Sequence, residues 1–156
     1  MGLPGSEDVK QLIHWLADSQ SLAVLATSGE AGPHGSLVAF AADSDLQKLV
    51  FTTSRATRKY ANLLAHPGVA LVMDNRENSE SDFHEAVAVT AIGKAREVTG
   101  EERAHWADIY VRKHPHLPAF VSSPTSALVV VDIERYYVVS KFQNVVEMDP
   151  RTWNTL

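Results

Sequence analysis

Three basic residues, Arg55, Arg58 and Lys59, fall within five positions, and no acidic residue lies between Gln47 and Met73. Around them stand the hydroxyls of Thr52, Thr53, Ser54 and Thr57. The whole chain carries a formal net charge of −5, so a basic island in it needs a physical account. The run Leu49–Thr53 before the island is apolar and β-branched, whereas Ala56, Tyr60, Leu63 and Leu64 after it share one helical face. The segment therefore joins a strand to a helix. Such a junction offers unpaired backbone N–H groups and the positive end of a helix dipole. An arginine grips a phosphate as a fork, and a lysine adds a point charge. These are the parts needed to hold a phosphate monoester dianion. The same residues also make an ordinary hydroxyl-capped helix start with solvated cations, and composition alone weighs the two readings evenly.

Other chemistries find less support. No dinucleotide fingerprint is present, and the glycine-rich stretch Gly29–Gly35 has no Lys-Ser or Lys-Thr after it, so it reads as a hairpin turn. His114 and His116 flank a proline and His84 stands alone; with no carboxylate at ligand spacing they read as solvent-exposed loop residues, and no metal is expected. No serine sits in a nucleophile elbow. The absence of cysteine excludes disulfides, a thiolate nucleophile and thiolate-bound metals. Acidity argues against nucleic acid as a partner. Apolar runs such as Leu37–Ala42 and Ala127–Val131 fall far short of the roughly 20 residues that span a membrane. With no signal-peptide pattern at the start, the 156 residues are expected to form a single cytoplasmic domain over positions 1–156, with no membrane partner.

The elements that must position the basic island follow from periodicity. Ser6 can cap a helix over Ser6–Asp18, in which Val9, Leu12, Ile13, Leu16 and Ala17 recur at helical spacing. Ser21–Thr27, Ser36–Ala42 and Leu49–Thr53 read as strands joined by turns, an antiparallel meander. The helix after the island ends at Pro67-Gly68, and Val69–Met73 is a buried-type strand. A polar loop over Asp74–Asp82 leads to a bending strand, Ala86–Val98, with Gly93 at a bend or bulge. Thr99-Gly100-Glu101-Glu102 matches a capping box for a helix bearing Trp106, Ala107, Tyr110 and Val111 and ending near His114-Pro115. A helical turn over Pro118–Ser122 and two strands, Ala127–Ile133 and Arg135–Ser140, complete the chain. About seven strands and three helices that do not alternate regularly predict an α+β fold built on an antiparallel barrel or sheet.

The order of these pieces resembles a known family. Ser36-Leu37-Val38-Ala39-Phe40, Asp43-Ser44-Asp45 and Leu49-Val50-Phe51-Thr52-Thr53 are similar to the pyridoxamine 5′-phosphate oxidase-like, FMN-binding split-barrel family. So are Thr57-Arg58-Lys59, Asn62-Leu63, His66-Pro67, Val69-Ala70-Leu71 and Ile92-Gly93-Lys94-Ala95. The likeness is strong over residues 21–98 and weaker to about 140. It implies a six-stranded antiparallel split β-barrel of Greek-key type with flanking helices, and a homodimer with FMN at the interface. It places Ser36, Leu37, Val38 and Ala39 beside the flavin ring, with Phe51, Thr52 and Thr53 also against the cofactor. Thr57, Arg58 and Lys59 match the unit that holds the FMN phosphate. Asn75 and Arg76 follow the fourth strand, where a partner subunit would meet the cofactor, and Phe142 and Gln143 follow the last strand and could cover the ring. The chain departs from the true oxidase at Ser36 and Ala41, where that enzyme carries basic residues, and at Ala88, where it has a glutamine. The Arg-x-His-x-Arg element near the oxidase C-terminus is missing. The expectation is an FMN-dependent oxidoreductase of a small-molecule substrate other than the vitamin B6 phosphate ester, with no catalytic acid or base assigned. The alternative is a non-enzymatic flavin-, deazaflavin- or haem-binding module on the same fold.

Overall fold

The computed structural model describes residues 6–141 and 144–153. Seven strands form one antiparallel sheet: β1 (Leu22–Gly29), β2 (Gly32–Ala42), β3 (Lys48–Ser54), β4 (Gly68–Asp74), β5 (Val87–Glu97), β6 (Ser126–Ser140) and β7 (Asn144–Met148). The order β3-β2-β1-β4-β5-β6 closes on itself through a β3–β6 pairing, and β7 adds to β6 outside the ring. This is the expected α+β barrel, with helices α1 (Ser6–Ser19), α2 (Arg58–Ala65), α3 (Asp82–Glu85), α4 (Gly100–Lys113) and α5 (Pro118–Ser122) around it.

Alternation along the strands builds the interior. Leu25, Val38, Phe40, Leu49, Phe51, Leu71, Val89, Ala91, Val129 and Val131 point inward and fill the barrel, and α1 adds Val9, Ile13, Leu16 and Ala17 to the same cluster. A second cluster lies outside the wall. There Ala41, Val50, Leu128 and Val130 meet Trp106 and Tyr110 of α4 and Val121 of α5. The residues of β3 and β6 around this contact are buried on both faces, which is why their sequences read as continuous apolar runs rather than alternating ones.

Several elements differ from the sequence expectation. The Gly29–Gly35 turn shrinks to Glu30-Ala31, because β2 already starts at Gly32, whose φ of 103° suits only glycine. The strands expected at Ala127–Ile133 and Arg135–Ser140 are one strand, β6. Its register against β5 shifts between Ile92 and Gly93, which face Arg135 and Ile133, so the bulged residue is Glu134 and not Gly93. Gly93 is the residue opposite, and a Cβ there would lie 2.1 Å from the backbone oxygen of Asp132. β7 was absent from the expectation; the match in strand number conceals one merger and one addition. The polar loop after β4 contains α3, organised by the Asp82 carboxylate, which accepts from the N–H groups of Glu77, Asn78 and Ser79. The capping box does not form. Thr99 makes no side-chain cap bond, and the Glu102 carboxylate that would reach back to the Thr99 N–H pairs with Arg96 at 2.8 Å instead. The Ser6 cap concerns a side chain outside the described residues.

Candidate functional site

β2 and β3 pair only over Phe40–Ala42 and Leu49–Phe51. Beyond that point Ser36–Ala39 pairs with β1 alone, and Thr52–Ser54 with β6 alone. The barrel wall is therefore split between the two segments that carry most of the candidate residues, and three residues separate the end of β3 from the start of α2.

The hydroxyls at this junction are already engaged. Thr52 is buried and donates to the Ala127 carbonyl at 2.9 Å. The Thr57 hydroxyl donates to the Ser54 carbonyl at 2.8 Å and accepts the Tyr60 N–H at 3.3 Å, which makes it the cap of α2. Its second lone pair faces the hydroxyl of the buried Thr53 at 3.0 Å. Binding at this corner is left to cations and backbone.

The basic island divides. Arg55 forks onto Glu97, Nη2 to Oε2 at 2.8 Å and Nε to Oε1 at 3.4 Å, and its Nη1 donates to the Pro124 carbonyl at 2.9 Å. The Tyr60 hydroxyl donates to the same carboxylate at 2.6 Å. The Arg55 and Tyr60 bonds hold the Glu97 carboxyl below its ordinary range against the cost of burial. Arg58 is exposed and Lys59 half-buried, and neither side chain has an ion pair or hydrogen bond among the described residues. Their backbone N–H groups are likewise unpaired there, as the first amides of a helix must be. Arg58 borders a groove of about 390 Å³ together with the Gly29–Ala31 turn and Asn62.

On β2, Val38 points into the barrel core, while Leu37 and Ala39 lie on its outer face with Leu37 64% exposed. The Ser36 hydroxyl is buried without a hydrogen-bond partner among the described residues. Phe51 is wholly buried in the core, so its side chain shapes the wall rather than presenting a surface. Asn75 is a structural link: its Oδ1 accepts the Val87 N–H at 2.7 Å and its own N–H donates back to the Val87 carbonyl. Arg76 is mostly exposed, 3.4 Å from Asp74. It shares a groove with Leu37, Val24 and Val72. Phe142 and Gln143 lie outside the described residues.

The structure thus makes two groups, not one. Arg58, with Lys59 next to it in the chain, borders the groove at the Gly29 end of β1; Leu37 and Arg76 border the groove at its Leu22 end. Five positions of β1, from Val24 opposite Leu37 to Gly29 beside Arg58, set them apart, roughly 17 Å by strand rise. Sequence reasoning missed Glu97, which lies 42 residues from Arg55 with no local signal to link them.

His114 corrects another expectation. It is buried, not a solvent-exposed loop residue, and its Nε2 lies 2.7 Å from the Phe40 carbonyl. That contact requires the Nε2–H tautomer as donor. Among the described residues no group of three or more His, Asp or Glu could hold a metal ion, and no helix is long and apolar enough to cross a membrane.

Comparison with known proteins adds the wider frame. A family model described as pyridoxamine 5′-phosphate oxidase matches residues 7–140. A haem-binding protein from Mycobacterium smegmatis superposes with a TM-score of 0.83 at 16% identity, over 99% of this chain and 62% of its own. The chain thus spans less than two thirds of that relative's length. A general stress protein 26-related protein of the pyridoxinephosphate oxidase family, from Clostridium acetobutylicum, gives 0.72 at 15% identity over 93% and 96% of the two chains. HutZ, the haem storage protein of Vibrio cholerae, gives 0.71 at 17% identity over 83% and 92%. No curated protein matches the chain.

Proposed function

The chain belongs to the pyridoxamine 5′-phosphate oxidase family, and we propose that it is a homodimeric FMN-dependent oxidoreductase acting on a small molecule other than the vitamin B6 phosphate ester. The observation that carries this reading is the start of α2, where two cations and two backbone amides without partners among the described residues stand side by side. A phosphate monoester carries about two negative charges, and Arg58 with Lys59 supplies two positive ones. FMN, when bound, supplies the electron or hydride chemistry; the chain binds, orients and tunes it. Arg58 and Lys59 hold the phosphate. Leu37 and Ala39 offer an apolar strand surface for the ring, and Ser36 carries an unspent hydroxyl on the same segment.

A second copy completes the site in this reading. Arg76, which shares its groove with Leu37 and not with Arg58, is assigned in this reading to the partner's site. The outer sheet face supports such pairing. Leu22, Leu37 and Val145 are more than half exposed there, beside half-buried Val24, Val72 and Val139. Exposed apolar patches of this kind mark interaction surfaces.

Purified protein is expected to be yellow with a flavin spectrum. Joint replacement of Arg58 and Lys59 by alanine removes two charge-assisted contacts worth about 1.5–3 kcal/mol each, so FMN affinity should fall by about a hundredfold or more. A colourless wild type indifferent to added FMN overturns the proposal.

A second reading is a haem-binding module without turnover, favoured by the fold shared with the mycobacterial and HutZ proteins. Haem needs an axial ligand. The buried histidine, His114, has Nε2 engaged with Phe40, which counts against it, while His66, His84, His105 and His116 are exposed. A Soret band and no flavin in the purified protein decides for this reading.

A further inference from the structure

Arg55 and Tyr60 bracket the two cations assigned above to the phosphate, and both are tied to one carboxylate. Arg55 forks onto Glu97, and Tyr60 donates to its Oε1 at 2.6 Å. Glu97 is the last residue of β5 and pairs across to Val129 of β6, so it stands on the barrel wall rather than on a loop. Arg55 is fixed further by its Nη1 to the Pro124 carbonyl and by its N–H to the Thr125 carbonyl at 3.0 Å. The short segment carrying Arg58 and Lys59 is therefore pinned at both ends to the same wall.

We propose that Glu97 is a positioning residue of the phosphate site: it fixes the first turn of α2 through Arg55 and Tyr60, and it neutralises Arg55 so that Arg58 and Lys59 alone meet the phosphate monoester. This rests on the phosphate reading of α2. Charge supports it. The island holds three cations, and pairing one with Glu97 leaves two, the number a monoester dianion balances. Geometry supports it too, because a guanidinium that forks onto a carboxylate has its donors committed in that plane.

The sign of one substitution separates positioning from plain electrostatics. A carboxylate beside an anion site repels the anion, so its neutralisation alone should tighten binding. A positioning carboxylate gives the reverse. FMN and riboflavin, which lacks the phosphate, are titrated into the flavin-free wild type, Glu97→Gln and Tyr60→Phe, with thermal melts of each. We expect Glu97→Gln to bind FMN about tenfold more weakly and riboflavin unchanged, the loss matching one charge-assisted interaction. Tyr60→Phe should lose about threefold on FMN alone, as one hydrogen bond predicts. A general loss of packing would lower both affinities together, which counts against positioning. Glu97→Gln binding FMN as tightly as the wild type, or more tightly, overturns the proposal. Should that variant fail to fold, an unchanged FMN-to-riboflavin ratio in Tyr60→Phe overturns it instead. A wild type that does not prefer FMN over riboflavin overturns the phosphate reading itself, and this inference with it.

Discussion

His114 shows how much one buried side chain can set. Its Nε2–H donates to the carbonyl of Phe40, a residue of β2 at the centre of the barrel. Burial holds its pKa below the ordinary value of 6.5, with Lys113 and His116 adding repulsion and the Phe40 contact opposing. The folded state thus prefers the neutral ring, and the unfolded state takes up the proton first as pH falls. Stability from this site is complete above pH 6.5 and is lost as pH drops from there toward the folded value. Urea midpoints of the wild type should fall as pH drops below the ordinary histidine value of 6.5. His114→Gln keeps an N–H donor for Phe40 but cannot titrate, so its midpoint should be flatter over the same window. Equal pH profiles would remove His114 as the cause.

At the scale of elements, α1 depends on a residue 96 positions from the Ala17 it bonds. It carries no basic residue in its last turn to offset its exposed carbonyls. Lys113, the last residue of α4, takes that role: Nζ donates to Ala17 and Gln20 carbonyls at 2.6 and 2.7 Å, above the Phe40 ring at 3.7 Å. Burial pulls its pKa down to about 8, so the ammonium is held at the cost of water and repaid by carbonyls and ring. One lysine thereby docks α1, α4 and β2 together. Lys113→Met keeps the apolar stem and leaves the helix end uncapped. It should cost about 1–2 kcal/mol, with amide exchange speeding up in α1 before the barrel strands. Uniform exchange across both would show that α1 docks without it.

For the whole molecule, the consequence lies on the outer face of the sheet. Leu37, Val24, Val72 and Thr90 are cross-strand neighbours in one row, and Leu22 and Val145 stand exposed on the same side. Water on that row is unfavourable by roughly 25 cal/mol per Å² of apolar surface. A second copy covering it would also bring Arg76 toward the partner's α2. Leu22→Glu with Leu37→Glu places charge in that patch while leaving the barrel interior intact. If the wild type sediments as the proposed homodimer, this variant should sediment as the 17.1 kDa chain. A variant that stays dimeric would exclude this face from the interface.

By itself the sequence determined most of the elements, though not α3 or β7, and the residue types at their junctions. Alternation and helical spacing marked the barrel strands and the flanking helices, and the basic island after Phe51 marked the start of α2, because both signals are local. It could not show that β6 is one bulged strand, since only the pairing with Gly93 reveals Glu134 as the extra residue. Nor could it sort the island. Thr52, Thr53, Thr57, Arg55, Arg58 and Lys59 look equally available along the chain. Only closure of the barrel brings Ala127 to Thr52 and Glu97 to Arg55, and so leaves Arg58 and Lys59 free. Which donors are spent depends on partners tens of residues distant, and tertiary structure alone puts those partners within hydrogen-bond reach.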